Sequence, residues 1–282
     1  MLGGAVVAVG GNGTIRRHPT NPRLVVKVMP VVGPDGGSYR VSIAKEISAM
    51  ETMGGLSKSF GREDIFMPLH GTIAQGDSIG IIMPRYEQNL RQVAYTLGMD
   101  QTNAFAAEVA SQLLGGLKFM HEIDYAHLDI KPDNLMVEIV GDIPRITIAD
   151  FGSAVLVVEG LMPLEPELCT TEEYRAPEVF LLQLHPEGDP YGLAVDIWSA
   201  GMTILELVSQ EEMIVKRADP KTTLRTINEF FGNQALGKRK RNQFDRISPF
   251  VEEKMLAFLQ GVLVIDSETR WTALEACAHL NK

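Results

Sequence analysis

Up to about Arg85, apolar residues come in short or alternating runs bounded by Gly, Pro or Asp: Ala5 to Val9, Leu24 to Met29, Met67 to Ala74 and Ser78 to Met83. Runs of that length and punctuation predict β-strands. One segment breaks the pattern: from about Val41 to Met53, the residues Ile43, Ile47, Met50 and Met53 recur at three- and four-residue spacing, which predicts an amphipathic helix. Beyond Tyr86 the pattern turns helical, most clearly from about Thr102 to Glu122, where Phe105, Val109, Leu113, Leu117 and Met120 share one face. Two short strands, Leu135 to Ile139 and Arg145 to Ala149, bracket a Gly141-Asp142 turn inside this helical part. The expected architecture is α+β: a small sheet unit with one helix over residues 1–85, then a larger, mainly helical unit over residues 86–282.

Composition and charge narrow the function. At 282 residues, 45% apolar and 22% charged, the chain can bury a substantial core. Acidic residues outnumber basic ones, 36 to 26, for a net charge of −10, which disfavours nucleic acid as a partner. Any phosphate site must then be built from locally placed cations and backbone N–H groups. The apolar start Met1 to Val9 has no basic flank and runs into Gly10-Gly11-Asn12-Gly13, so it reads as a first strand and not as a signal peptide. No apolar stretch reaches the roughly 20 residues that span a bilayer. Two cysteines far apart, Cys169 and Cys277, suit a reducing compartment, so the expectation is a soluble protein of the cytoplasm or nucleus with no membrane partner.

Four segments carry candidate chemistry. Gly11-Asn12-Gly13 after the first strand has two readings: unhindered N–H groups for a phosphate, or an Asn-Gly hairpin tip. Lys27 lies inside the apolar run Leu24 to Val28, where a buried ammonium needs an anion, and Glu46 on the following helix is the candidate partner. The decisive segment is His127-Leu128-Asp129-Ile130-Lys131-Pro132-Asp133-Asn134, followed sixteen residues later by Asp150-Phe151-Gly152. In it Asp129 can accept the proton of an attacking hydroxyl, and Lys131 can neutralise charge on a moving phosphoryl group. Asn134 with Asp150 offers oxygen ligands for magnesium.

These motifs, in this order, resemble the catalytic domain of eukaryotic-type protein kinases over nearly the whole chain. That resemblance implies a two-lobed fold, with magnesium-ATP and a protein carrying a Ser/Thr acceptor as reactants and room for a regulatory protein as partner. It places Gly11, Gly13, Val25, Lys27, Glu46, Met83, Tyr86 and Met136 at the nucleotide, with Met83 to Tyr86 as the hinge that reads adenine. It makes Asp129, Lys131, Asn134 and Thr171 catalytic and Asn134 and Asp150 the metal ligands. Met50 matches the residue that stacks towards Phe151. Thr171 to Glu178 resembles the end of an activation segment and Asp196 to Gly201 a central buried helix; Arg270 is then expected to pair with Glu178, and Asp196 to hold the catalytic-loop backbone. Lys131 and Thr171 resemble the serine/threonine version. Tyr174 to Glu178, Tyr191 to Trp198 and Leu224 to Gly232 resemble the branch of cyclin-dependent, MAP and dual-specificity kinases. Asn89-Leu90-Arg91-Gln92-Val93 is similar to pre-mRNA-processing kinases.

The chain departs from the family at several positions. Leu128 stands where most members have an arginine that receives an activation-loop phosphate, so activity is expected not to require that phosphate. Arg16 replaces a third glycine, His18 a small apolar adenine contact and Val25 a common alanine. These changes motivate the alternative of a pseudokinase scaffold that binds nucleotide or partners with little turnover. Glu165 to Glu167 and Lys238 to Arg241 read as solvated charged turns, with loop positioning and nuclear import as their respective functional alternatives.

Overall fold

The computed structural model describes residues 2–10, 13–33, 36–59, 64–94, 96, 99–158, 171–188, 191–211, 219–232 and 243–282. Gly11, Cys169, Glu165 to Glu167 and Lys238 to Arg241 lie outside the described residues. The architecture is that of a two-lobed α+β protein, a small antiparallel sheet lobe with one helix and a larger helical lobe. Residues divide into two compact units, Met1–Glu87 with Thr147–Ala154, and Gln88–Ile146 with Val155–Lys282.

The first unit contains strands β1 (Val6–Gly10), β2 (Gly13–Arg17) and β3 (Leu24–Pro30), helix α1 (Arg40–Ser59), then β4 (Gly71–Gln75) and β5 (Ser78–Pro84). They form one antiparallel sheet in the order β1-β2-β3-β5-β4. Because β3 is the central strand, Val25, Val26, Lys27 and Met29 are all buried, and its sequence is apolar apart from Lys27. The helix is longer than its periodicity predicts, 20 residues from Arg40 to Ser59, and buries Ile43, Glu46, Ala49, Met50 and Met53 along one stripe. The strand expected over Met67 to Ala74 is shorter: its ladder with β5 runs over Gly71 to Gln75, and the His70 N–H donates to the Ile82 carbonyl at 2.9 Å just before it. Pro68 brings no N–H to a ladder, and Met67 instead donates its N–H to the Ile148 carbonyl at 2.8 Å.

The second unit starts with β6 (Gln88–Asn89), α2 (Leu90–Ala94), α3 (Met99–His121) and β7 (Tyr125–Ala126). The hairpin β8 (Leu135–Val140) and β9 (Ile143–Ile148) turns at Gly141, whose φ of 66° glycine adopts without strain; the last two residues of β9 group with the first unit. After β10 (Val155–Leu156) come helices α4 (Pro177–Leu184), α5 (Ala194–Ser209), α6 (Pro220–Phe231), α7 (Gln243–Ile247), α8 (Glu253–Val262) and α9 (Ala273–Leu280). Helix α5 is buried on every side from Val195 to Val208 and packs against α3 and α8. Helix α9 starts on a capping box in which Thr272 and Glu275 satisfy each other's backbone N–H groups, and it packs on α3. No described helix is long and apolar enough to cross a membrane.

Candidate active site

In the first unit, Lys27 and Glu46 point from β3 and α1 to the same place. Lys27 Nζ lies 2.6 Å from Glu46 Oε1 and 2.7 Å from Asp150 Oδ1. Burial alone would lower the pKa of this ammonium; the Asp150 charge, then that of Glu46, outweighs it and raises the pKa above its ordinary value. Burial pushes the Glu46 carboxyl up against the pull of Lys27. With the ammonium between two carboxylates at these distances, the ionic form is the one the geometry supports. Asp150 reaches this position because the chain before it is pinned: Ile148 donates to the Ile65 carbonyl at 2.9 Å, and Phe66 bridges to Ile148 in parallel. Asp150 then turns through a left-handed conformation, φ 62°, into a short 3-10 turn over Phe151–Ser153. Phe151 is buried edge-on against Phe66, 6.1 Å between ring centroids, and the turn packs on α1, the helix of Met50.

The remaining nucleotide candidates of this unit are placed by the sheet itself. Gly10 and Gly13 are partners in the β1–β2 strand pair. Gly13 has φ 149°, and a side chain there would meet the Val28 carbonyl oxygen at 2.8 Å, so sheet packing alone requires this glycine. Arg16 turns its Nη1 to the Gly4 carbonyl at 3.3 Å, and His18 Nδ1 accepts N–H bonds from Thr20 and Asn21 in a turn. Val25 pairs with Met83 between β3 and β5. The Tyr86 hydroxyl lies 2.9 Å from Thr147 Oγ1, which in turn donates to the Asp64 carbonyl.

In the second unit the loop His127 to Asn134 is suspended from α5. Asp196 accepts the N–H groups of His127 and Leu128 at 2.8 Å each, and His121 Nε2 stands 3.1 Å away. Leu128 adopts φ 65°, a conformation costing about 1–2 kcal/mol for a side chain with a Cβ, and the Asp196 oxygens that accept the two N–H groups hold it there. The Leu128 side chain is buried, so this position carries packing instead of charge. Burial alone would raise the Asp196 carboxyl; the His121 hydrogen bond, the charges of His121 and His127 and the His127 N–H outweigh it and hold the pKa below the ordinary 3.8. A depressed pKa contributes stability that is complete above the ordinary value and is lost as pH falls through the folded-state value. Asp196→Asn is therefore expected to lose about 1–3 kcal/mol at neutral pH, because its amide presents a donor to one of these N–H groups. In urea titrations the gap to the native chain should narrow below about pH 3.8; a gap independent of pH would contradict this origin.

Asp129 sits at the centre of this loop with both carboxylate oxygens engaged. Oδ2 accepts from Lys131 Nζ at 2.7 Å and Asn134 Nδ2 at 2.9 Å, and Oδ1 accepts from the Thr171 N–H at 3.1 Å and its hydroxyl at 2.7 Å. Lys131 also reaches Thr171 Oγ1 at 2.7 Å. Four donors fill the roughly four lone-pair positions of a carboxylate. Asn134 gives its amide nitrogen to the carbonyl and the carboxylate of Asp129, at 2.8 and 2.9 Å. Met136 is half-buried on β8, paired with Asn89.

Residues 10–280 match the family described as protein kinase domain. The chain belongs to this family. Similar kinases come from two groups. The mitogen-activated protein kinase homolog NTF3 of Nicotiana tabacum is 27% identical over 238 residues, 77% of this chain and 60% of that protein. The mitogen-activated protein kinase mpkC of Aspergillus niger is 27% identical over 78% of this chain and 54% of its own length. Calcium/calmodulin-dependent protein kinase type 1B of Homo sapiens is 29% identical over 64% of this chain and 47% of its own. The chain thus spans about half of the length of these curated relatives. Its kinase-type ion pair between the late arginine and the end of the activation segment is present: Arg270 binds both Glu178 oxygens, at 2.6 and 2.9 Å.

Sequence reasoning missed contacts of two residues. Lys27 was given one carboxylate partner and has two. Arg91, read only for its resemblance, binds Asp133, Glu206 and the Tyr174 hydroxyl. One signal was present: Glu206 lies in the apolar run Ile204 to Val208 near the end of α5, and a carboxylate buried there needs a partner.

Proposed function

We propose that this kinase domain transfers the γ-phosphoryl group of magnesium-ATP to a serine or threonine hydroxyl of a protein. The observation that carries the reading is Asp129, a carboxylate held in a fixed orientation by Lys131, Asn134 and Thr171. Asp129 takes the proton as the acceptor oxygen bonds to phosphorus, the bond from phosphorus to the β,γ-bridging oxygen breaks, and ADP leaves with the electron pair. Lys131 offsets negative charge on the moving group, and Lys27, fixed by Glu46, contacts the remaining phosphates. Asp150 and the Asn134 amide oxygen are each hard oxygen donors of the kind magnesium takes, and they are the residues that would hold it by the family resemblance. When bound, the metal neutralises charge on the phosphate oxygens.

Purified, phosphatase-treated protein incubated with labelled ATP, magnesium and a generic protein substrate tests this. Incorporation that disappears in Asp129→Asn is expected. Thermal stabilisation by ATP with no incorporation would favour the scaffold reading. Turnover that returns only after treatment with an upstream kinase would sink the expectation attached to Leu128.

A further inference from the structure

Arg91 takes no part in the chemistry proposed above, yet its guanidinium joins three segments of the second unit. Its Nε lies 3.0 and 2.9 Å from the two Asp133 oxygens, Nη1 donates to Glu206 Oε1 at 2.8 Å, and Nη2 donates to the Tyr174 hydroxyl at 2.7 Å. The Tyr174 hydroxyl in turn donates to Glu206 Oε2. Glu206 is only 6% exposed, so the pair is a largely desolvated one at its α5 end. Burial alone would lower the Arg91 pKa, and the Tyr174 oxygen, Asp133 and Glu206 together raise it, so the cation is permanent.

The segments joined are those that hold Asp129. Asp133 lies in the 3-10 turn Pro132–Asn134, between Lys131 and Asn134, the two donors to Asp129 Oδ2. Tyr174 ends the 3-10 turn Glu172–Tyr174, whose first N–H bond returns to the carbonyl of Thr171, the residue that supplies both donors to Oδ1. Ser199 on α5 donates to the Tyr174 carbonyl at 2.9 Å, so that turn is held to α5 at both the backbone and the hydroxyl. One planar fork therefore fixes the spacing between the two sides of the Asp129 carboxylate.

We propose that Arg91 is a positioning residue, a clamp that sets the contact of Thr171 with Asp129 by locking the loop of Lys131 and Asn134 and the turn after Thr171 onto α5. This rests on the reading of Asp129 as the base. A lysine cannot replace it, because one ammonium does not present the planar fork that reaches all three partners.

The test compares the native chain, Arg91→Ala, Arg91→Lys, Asp133→Asn and Asp129→Asn in steady-state kinetics and amide hydrogen exchange. In Arg91→Ala, kcat should fall roughly 10–100-fold while KM for ATP changes little, as expected when a group is displaced and not removed. Exchange at the Thr171 and Tyr174 amides should quicken, and added methylguanidinium should restore part of both. Arg91→Lys should behave like Arg91→Ala, and Asp133→Asn, which opens one arm of the clamp, should fall between them and the native chain. A folded Arg91→Ala with native kcat and native protection overturns the proposal. So does a loss without rescue in which exchange rises throughout α5, which would make Arg91 a neutraliser of Glu206. A native chain that incorporates no more label than Asp129→Asn sinks the kinase reading instead, and the exchange data still decide the clamp.

Discussion

Asp150→Ala is expected to lower phosphoryl transfer by roughly 10³-fold or more, since on the proposed reading it removes a ligand of the metal that would offset charge on the phosphate oxygens. The loss should appear in kcat/KM for ATP and should not be recovered by raising magnesium. Stability should change far less. Lys27 keeps Glu46 at 2.6 Å, and the neighbouring Phe151 stays buried against Phe66. The replacement does place an alanine at φ 62°, which aspartate tolerates better, at about 1 kcal/mol. A small drop in melting temperature with transfer nearly abolished is therefore the expected signature. Unchanged incorporation by pure Asp150→Ala would remove the metal role from this residue.

Arg270→Ala should have the largest effect on stability. The guanidinium is fully buried, binds both oxygens of Glu178, and also donates to the carbonyls of Ala194, Val264 and Ile265. It stacks on Trp198 as well, 5.2 Å from the ring. Truncation leaves a carboxylate and several carbonyls without their donor in a site that collapse cannot easily rewet, so about 3–5 kcal/mol is expected to be lost. That corresponds to a fall in melting temperature of roughly 10 °C, readable by calorimetry. The double variant Arg270→Met with Glu178→Leu should recover much of the loss, because removing both charges also removes the unpaired one. A double variant as unstable as the single one would assign the effect to packing.

Most of the scaffold could be read from the sequence because its signals are local. Ile43 to Met53 carry a helical period, Leu24 to Met29 an apolar run interrupted only by Lys27, and Gly141-Asp142 a turn with a mechanism. The Asp129 loop was legible as a motif, and its neighbours Lys131 and Asn134 lie within five residues. What the sequence hid are pairs joined only by the fold. Arg91 meets Asp133, Tyr174 and Glu206 at separations of 42, 83 and 115 residues, and Lys27 meets Asp150 at 123. No periodicity encodes such contacts; a lone charge in an apolar run shows only that a partner exists. The strand misread at Met67 to His70 has a different cause. Apolar content suggested a ladder, and Pro68 shifted the hydrogen bonding to Ile148.

The filled lone pairs of Asp129 bear on how an acceptor enters. One of its oxygens already receives an aliphatic hydroxyl, that of Thr171. On the proposed reading, an incoming serine or threonine substitutes for an alcohol supplied by the chain itself, and a like-for-like swap yields little net hydrogen-bond energy. Affinity for the acceptor must come from the polypeptide around it. Isolated hydroxyls, water included, hold no such advantage over Thr171, so on the proposed reading the loop discriminates against solvent as an acceptor.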